Sequence, residues 1–207
     1  MVDLIETSCA DFAAALASDA PVPGGGSAAA LAGALSAALG AMAARLSLRR
    51  KKTGEERAPL EEDVQIAEAL RQRLLSLVDR DAAGFEPLSR AYSLPKEDPE
   101  REQKLRAASL AACAAPLELL RCCGETAELL AGLQERVSLM LLSDVGSAAA
   151  LCRGALESAA MNVWVNTRSL PEDPEAVALN REVRQVLDAA IPAAEEVAAA
   201  VRKKLES

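Results

Sequence analysis

The sequence predicts an all-α protein, and three observations carry that prediction. Apolar residues make up 51% of the 207 positions, yet only Phe12, Phe85, Tyr92 and Trp164 are aromatic. Alanine and leucine, the strongest helix formers, supply most of the rest. Clustered β-branched runs that would mark strands are absent, and helix starts and stops recur with conventional punctuation. The length suits one domain with a sizeable core, so the expectation is a single helical domain over 1–207, one compact bundle of about seven segments.

Taken in order, the first segment runs from Ser8 to Ser18. After the stretch PVPGGGS at 21–27, Ser27 is placed to cap a second helix reaching Leu48, ended by Arg49-Arg50-Lys51-Lys52 and Gly54. A third helix opens at Pro59, with Glu61, Glu62 and Asp63 in its first turn. Its apolar positions Val64, Ala67, Leu70, Leu74, Leu77 and Val78 follow the helical period to Tyr92, with a kink at Pro87. Asp98-Pro99-Glu100 announces a fourth helix, bent at Pro116 and running to Gly124. A fifth spans Thr126 to Leu142, where Ser143-Asp144-Val145-Gly146 breaks it, and a sixth covers Ser147 to Thr167. The last begins at Asp173-Pro174-Glu175 and continues to the C-terminus, kinked at Pro192.

Composition narrows the function classes. The net charge of −8 argues against nucleic acid as a partner, because phosphate binding needs a clustered basic excess. The five cysteines are odd in number, have no C-x-x-C spacing and are joined by no histidine. That predicts no metal site and a reducing, cytoplasmic compartment. Residues 27–44 carry no charge and touch the length of a membrane span, but their alanine content favours a buried helix of a soluble bundle over a bilayer segment.

Four places can carry chemistry. Gly24, Gly25, Gly26 and Ser27 lead into a helix N-terminus, whose free N–H groups suit a carboxylate or polarised carbonyl; a tight packing turn explains the glycines equally well. Asp79 and Asp81 lie two apart on one helix and so point in different directions. Asp81 falls on or beside the apolar stripe, where desolvation raises a carboxylate's pKa toward general acid/base use; the alternative is a solvated charge paired with Arg80. Asp144 sits where a helix cap would. Asn162 and Asn166 share one face, where they could meet a heterocycle's edge or bond to each other and the backbone.

Together the motifs P-V-P-G-G-G-S (21–27), V-D-R-D-A-A-G-F (78–85), A-Y-S-L-P-K (91–96), P-L-E-L (116–119), S-D-V-G (143–146) and N-V-W-V-N (162–166) resemble one family. It comprises the cyclodeaminase domain of formiminotransferase-cyclodeaminase and the stand-alone methenyltetrahydrofolate cyclohydrolases. The resemblance covers essentially the whole chain and implies an all-helical homodimer acting on a one-carbon unit carried by tetrahydrofolate. It places the proton donor/acceptor on Asp81 and makes Gly24, Gly25, Gly26, Ser27, Asp144, Asn162 and Asn166 site candidates. Arg49, Arg50, Lys51, Lys52 and Lys96 are candidates for the anionic glutamate tail.

The implied reaction is hydrolysis of 5,10-methenyltetrahydrofolate to 10-formyltetrahydrofolate, with no cofactor beyond the folate itself. Release of ammonia from formiminotetrahydrofolate, with a separately encoded formiminotransferase, is the close alternative, and a non-catalytic folate-binding scaffold the more distant one. One departure stands out. Relatives carry a Gly-Asn pair shortly before the S-D turn, where this chain has Val137 and Ser138.

Overall fold

A computed structural model describes residues 3–207; every regular element among them is a helix, and no strand occurs among them. A short 3-10 turn, Leu4–Glu6, precedes α1 (Cys9–Leu16), which Ser8 caps by accepting from the Asp11 N–H at 3.1 Å. α2 covers Gly25–Leu48, and its N-cap is Gly24 rather than Ser27.

α3, Gly54–Tyr92, begins five residues before the expected Pro59. The reason is a capping box: Thr53 Oγ1 accepts from the Glu56 N–H at 3.3 Å and donates to the Glu56 carboxylate at 3.1 Å. Pro59 rides on the exposed face of the second turn. Asp63 is therefore not a first-turn acid. It is buried and held by a two-pronged bond from Arg136, Nε at 2.9 Å and Nη2 at 2.7 Å.

The expected fourth helix is two helices, α4 (Arg101–Ala112) and α5 (Ala114–Leu133), which meet at Cys113. Pro116 has no N–H to offer the Ala112 carbonyl one turn back, so the helical ladder is interrupted at Cys113, beside the bend expected at Pro116. Gly124 does not end α5. A Cβ there would stand 3.4 Å from Val186 Cγ1, so the glycine serves packing against the C-terminal helix. For the same reason Ser143–Gly146 lies inside α6, Leu139–Thr167, with Gly146 pressed against Val201. α7, Pro174–Glu206, is capped by Asp173 and continues through the exposed Pro192 without a break.

α5 forms the centre of the bundle, with Leu117, Leu119, Leu120, Leu130 and Leu133 buried among α2, α3, α6 and α7. α2 comes close to its neighbours because its inward face is made of small residues. At Gly33 a Cβ would meet Cys123 Sγ at 3.0 Å and Leu74 Cδ2 at 3.1 Å. α2 and α6 run antiparallel: Ser36 Oγ donates to the Ala148 carbonyl at 2.8 Å, while Gly25 lies beside Asn162. At the Asn162 end, the last turns of α3 and the middle of α4 form a second apolar cluster of Leu88, Ala91 and Ala108 with Phe85 and Ala112.

The Asp63–Arg136 pair ties α3 to the segment following α5. Arg136→Ala strands a buried carboxylate and is expected to lower unfolding free energy by about 2 kcal/mol in a denaturant titration. Adding Asp63→Ala to that variant should restore part of the loss.

Candidate active site

The N-terminus of α2, residues 81–92 of α3 and the last turns of α6 converge on a cavity of about 330 Å³. Its floor is the contact between Gly26 and Asp81. A Cβ at position 26 would lie 2.0 Å from Asp81 Oδ1, so only glycine lets the carboxylate occupy this place. Ser27 is the second holder: its hydroxyl lies 2.9 Å from Asp81 Oδ2 and 3.0 Å from the Val78 carbonyl. Burial pushes the Asp81 pKa up, and the Ser27 hydroxyl and N–H pull it partly back.

Asp79 turns away, accepting from the Leu4 N–H at 2.7 Å, and so braces the N-terminal segment. Two carboxylates two residues apart thus divide into one structural and one cavity group. Gly24 and Gly25 line the same cavity, and the first α2 bond within the helix comes from the Ala28 N–H to the Gly24 carbonyl. The N–H groups ahead of it lie at the positive end of the helix.

Asn162 and Asn166 line the opposite wall. Each amide nitrogen donates to a backbone carbonyl one turn back, Ser158 at 2.8 Å and Asn162 at 2.9 Å. This commits one N–H of each amide to the helix and leaves the second N–H and the amide oxygen of each to meet other partners. Asn162 also packs against Gly25, within 3.6 Å of where a Cβ would be.

Sequence reasoning overlooked the apolar wall, Phe85, Leu88 and Tyr92. The signal was present, since Asp81, Phe85, Leu88 and Tyr92 are spaced 4, 3 and 4 along α3 and share one face. Val165 and Ala112 close the remaining side.

Three expected site elements fall elsewhere. Lys96 belongs to an adjoining open groove of about 1150 Å³, which also holds Arg101, Glu97, Asp98, Glu172 and Asp173. Asp144 is in the second turn of α6, not at a helix start, and lies roughly 27 Å along the helix from Asn162. The run Arg49 to Lys52 follows the far end of α2, about 36 Å from Gly25. The fold of one chain therefore gathers Gly24, Gly25, Gly26, Ser27, Asp81, Asn162 and Asn166, and separates Asp144 and the basic run from them. Burial pushes the Cys113 and Cys122 thiols up to about 11, which leaves neither as a thiolate near neutral pH. Asp81 is the carboxyl group that lines the cavity.

Known proteins resemble this chain over most of its length. The chain is 35% identical to the methenyltetrahydrofolate cyclohydrolase of Methylorubrum extorquens, with 94% of this chain and 95% of that one aligned. It is 32% identical to the formimidoyltransferase-cyclodeaminase of Sus scrofa over 95% of its own length but 36% of the longer protein. The chain thus spans about a third of that relative. A crystal structure of formiminotetrahydrofolate cyclodeaminase from Thermotoga maritima matches with a TM-score of 0.82 at 27% identity, covering 97% of this chain and 96% of that one. The family model described as formiminotransferase-cyclodeaminase matches residues 8–185. With that match over most of its length, the chain belongs to the formiminotransferase-cyclodeaminase family.

Proposed function

We propose that the chain is a methenyltetrahydrofolate cyclohydrolase, which hydrolyses 5,10-methenyltetrahydrofolate to 10-formyltetrahydrofolate. The observation that carries this reading is the half-buried Asp81 carboxylate, fixed over Gly26 in a cavity with one apolar and one amide wall. The end-to-end match to a stand-alone cyclohydrolase supports the choice of reaction.

The substrate's bridging carbon is an amidinium cation, already electrophilic, so the protein must place a water and move protons. Asp81 accepts the proton as the water oxygen bonds to that carbon. The same carboxyl returns that proton to N5 as the carbon–N5 bond breaks, and the water oxygen's second proton leaves to solvent as the formyl C=O forms on N10. Its negative charge also stabilises the cation. Phe85 and Tyr92 offer faces for the pterin, and the Asn162 and Asn166 oxygens accept from its N–H groups. The chemistry consumes only water, so the folate is the sole small molecule the reaction calls for. The tail leaves past Tyr92 toward the groove containing Lys96 and Arg101. The working unit is a homodimer in a reducing cytoplasm, the compartment that suits five free cysteines.

The Thermotoga maritima match, of equal length, favours a second reading: N10 attacks a formimino carbon and Asp81 protonates the departing ammonia, a transferase having been supplied separately. Purified protein separates the two, through loss of the methenyl chromophore or release of ammonia from formiminotetrahydrofolate.

Asp81→Asn is expected to lower kcat by roughly 10² to 10⁴ with folate binding retained; an unchanged rate would remove Asp81 from the mechanism. Because catalysis needs the ionised form and burial raises its pKa, kcat/KM should rise with pH through a limb above the usual carboxylate range, absent in the variant. The sign reverses for stability. A carboxyl whose folded pKa is raised opposes folding once ionised, so Asp81→Asn should raise Tm at neutral pH. That gain should fade as pH falls to the ordinary Asp range. Gly26→Ala is expected to displace the carboxylate and match the Asp81→Asn loss, read by the same chromophore assay.

A further inference from the structure

α3 carries a glycine that its own fold does not explain. Glycine is the poorest helix former after proline, and Gly84 stands well inside α3. It is neither a cap nor a turn, and no glycine among the described residues takes a positive φ, so backbone freedom is not the reason. Elsewhere in the bundle helical glycines answer to packing: a Cβ at Gly26, Gly33, Gly124 or Gly146 would meet a side chain at 3.4 Å or less. Among the described residues nothing lies within 4 Å of where a Gly84 Cβ would be, the ring of Pro87 included. Gly54 and Gly154 are open in the same way, but they lie on the exposed surface, whereas Gly84 is partly buried and lines the cavity.

The direction of that missing side chain follows from the helix. Asp81, Gly84, Phe85, Leu88 and Tyr92 form one stripe of α3 and all line the cavity, so a Cβ at position 84 would point into it between Asp81 and Leu88. Bare backbone there widens the α3 wall one turn from the carboxylate, roughly 4.5 Å along the helix axis. The cavity is small, about 330 Å³, with one aromatic side chain beside Gly84 and another beyond it, so a planar ring is the ligand chemistry that the opening fits. Such a ring can lie in van der Waals contact with the Gly84 backbone, roughly 3.5–4.0 Å away, while Asp81 reaches the atom under attack. A methyl group at position 84 would take up that first layer of contact and hold the ring off the helix.

From these features we infer that Gly84 is a specificity-determining residue: its missing side chain admits the planar ring that carries the reacting carbon against the α3 backbone, one turn from Asp81. The inference rests on the folate reading above and adds to it the stretch of wall on which the ring lies. It also accounts for a helix-weakening residue at a position where the fold gains nothing from it, since what is gained is clearance for the ligand.

Gly84→Ala separates clearance from folding, because the two move in opposite directions. Alanine is the better helix former, so the variant's Tm should rise. Its KM for 5,10-methenyltetrahydrofolate, and its Kd for tetrahydrofolate by calorimetric titration, should both rise about three- to tenfold, and Gly84→Val should weaken both further. The pH limb of kcat/KM should stay at its wild-type position, since Gly26 and Ser27, which hold the carboxylate, are untouched. Gly54→Ala, which fills the open glycine position of α3 outside the cavity, should leave KM and Kd unchanged. A Gly84→Ala protein with wild-type KM and Kd overturns the inference and leaves the functional reading in place. A limb displaced in pH also overturns it, because the effect then acts through Asp81. A wild-type protein that turns over neither folate and binds no tetrahydrofolate overturns both.

Discussion

The approach of α2 to α3 at Gly26 is the contact on which the site depends. A side chain of even one carbon there would occupy the place of a carboxylate oxygen, so the distance between the helices and the position of Asp81 are one constraint. The constraint continues along α2, whose inward residues Ala30, Gly33, Ala37, Gly40, Ala41 and Ala44 are all buried. Each contributes little apolar area. What the helix gains is proximity, with backbone and short side chains in dispersion contact along their length. The bulk of the hydrophobic stabilisation comes instead from the leucines of α5, over which α2, α3, α6 and α7 close.

Opposing influences meet at the Asp81 carboxyl. Withdrawal from water favours its neutral form, and the Ser27 hydroxyl and the N-terminal N–H groups of α2 favour the ion. A chain without histidine has few other ways to hold a group whose pKa is moved up toward neutrality. The arrangement costs stability locally, as functional sites commonly do.

Much of this was legible in the residues. The helical period of α3 and the caps at Ser8 and Asp173 appear where their chemistry placed them. Two of the errors share one cause. Gly124 and the Ser143–Gly146 stretch were read as breaks because glycine is a poor helix former, whereas both glycines accommodate α7 side chains, a tertiary demand invisible in a local window. Thr53 with Glu56 was hidden by the stronger punctuation of Pro59. In the site, Asp81 and the asparagines could be placed on faces by spacing, but Asp144 and the basic run could not be assigned to an end of the bundle. That required knowing that α2 and α6 run antiparallel, which no spacing within one helix reveals.

The Ser27 hydroxyl has one proton and two acceptors within 3.0 Å, the Asp81 carboxylate and the Val78 carbonyl. While Asp81 is charged, the proton is best spent on the carboxylate. Once Asp81 takes up a proton of its own, the hydroxyl can rotate toward the carbonyl and accept from the acid in turn. A single torsion thus answers the change in charge, with neither state leaving a buried oxygen orphaned. Proton traffic at this aspartate can then proceed with the surrounding helices standing still.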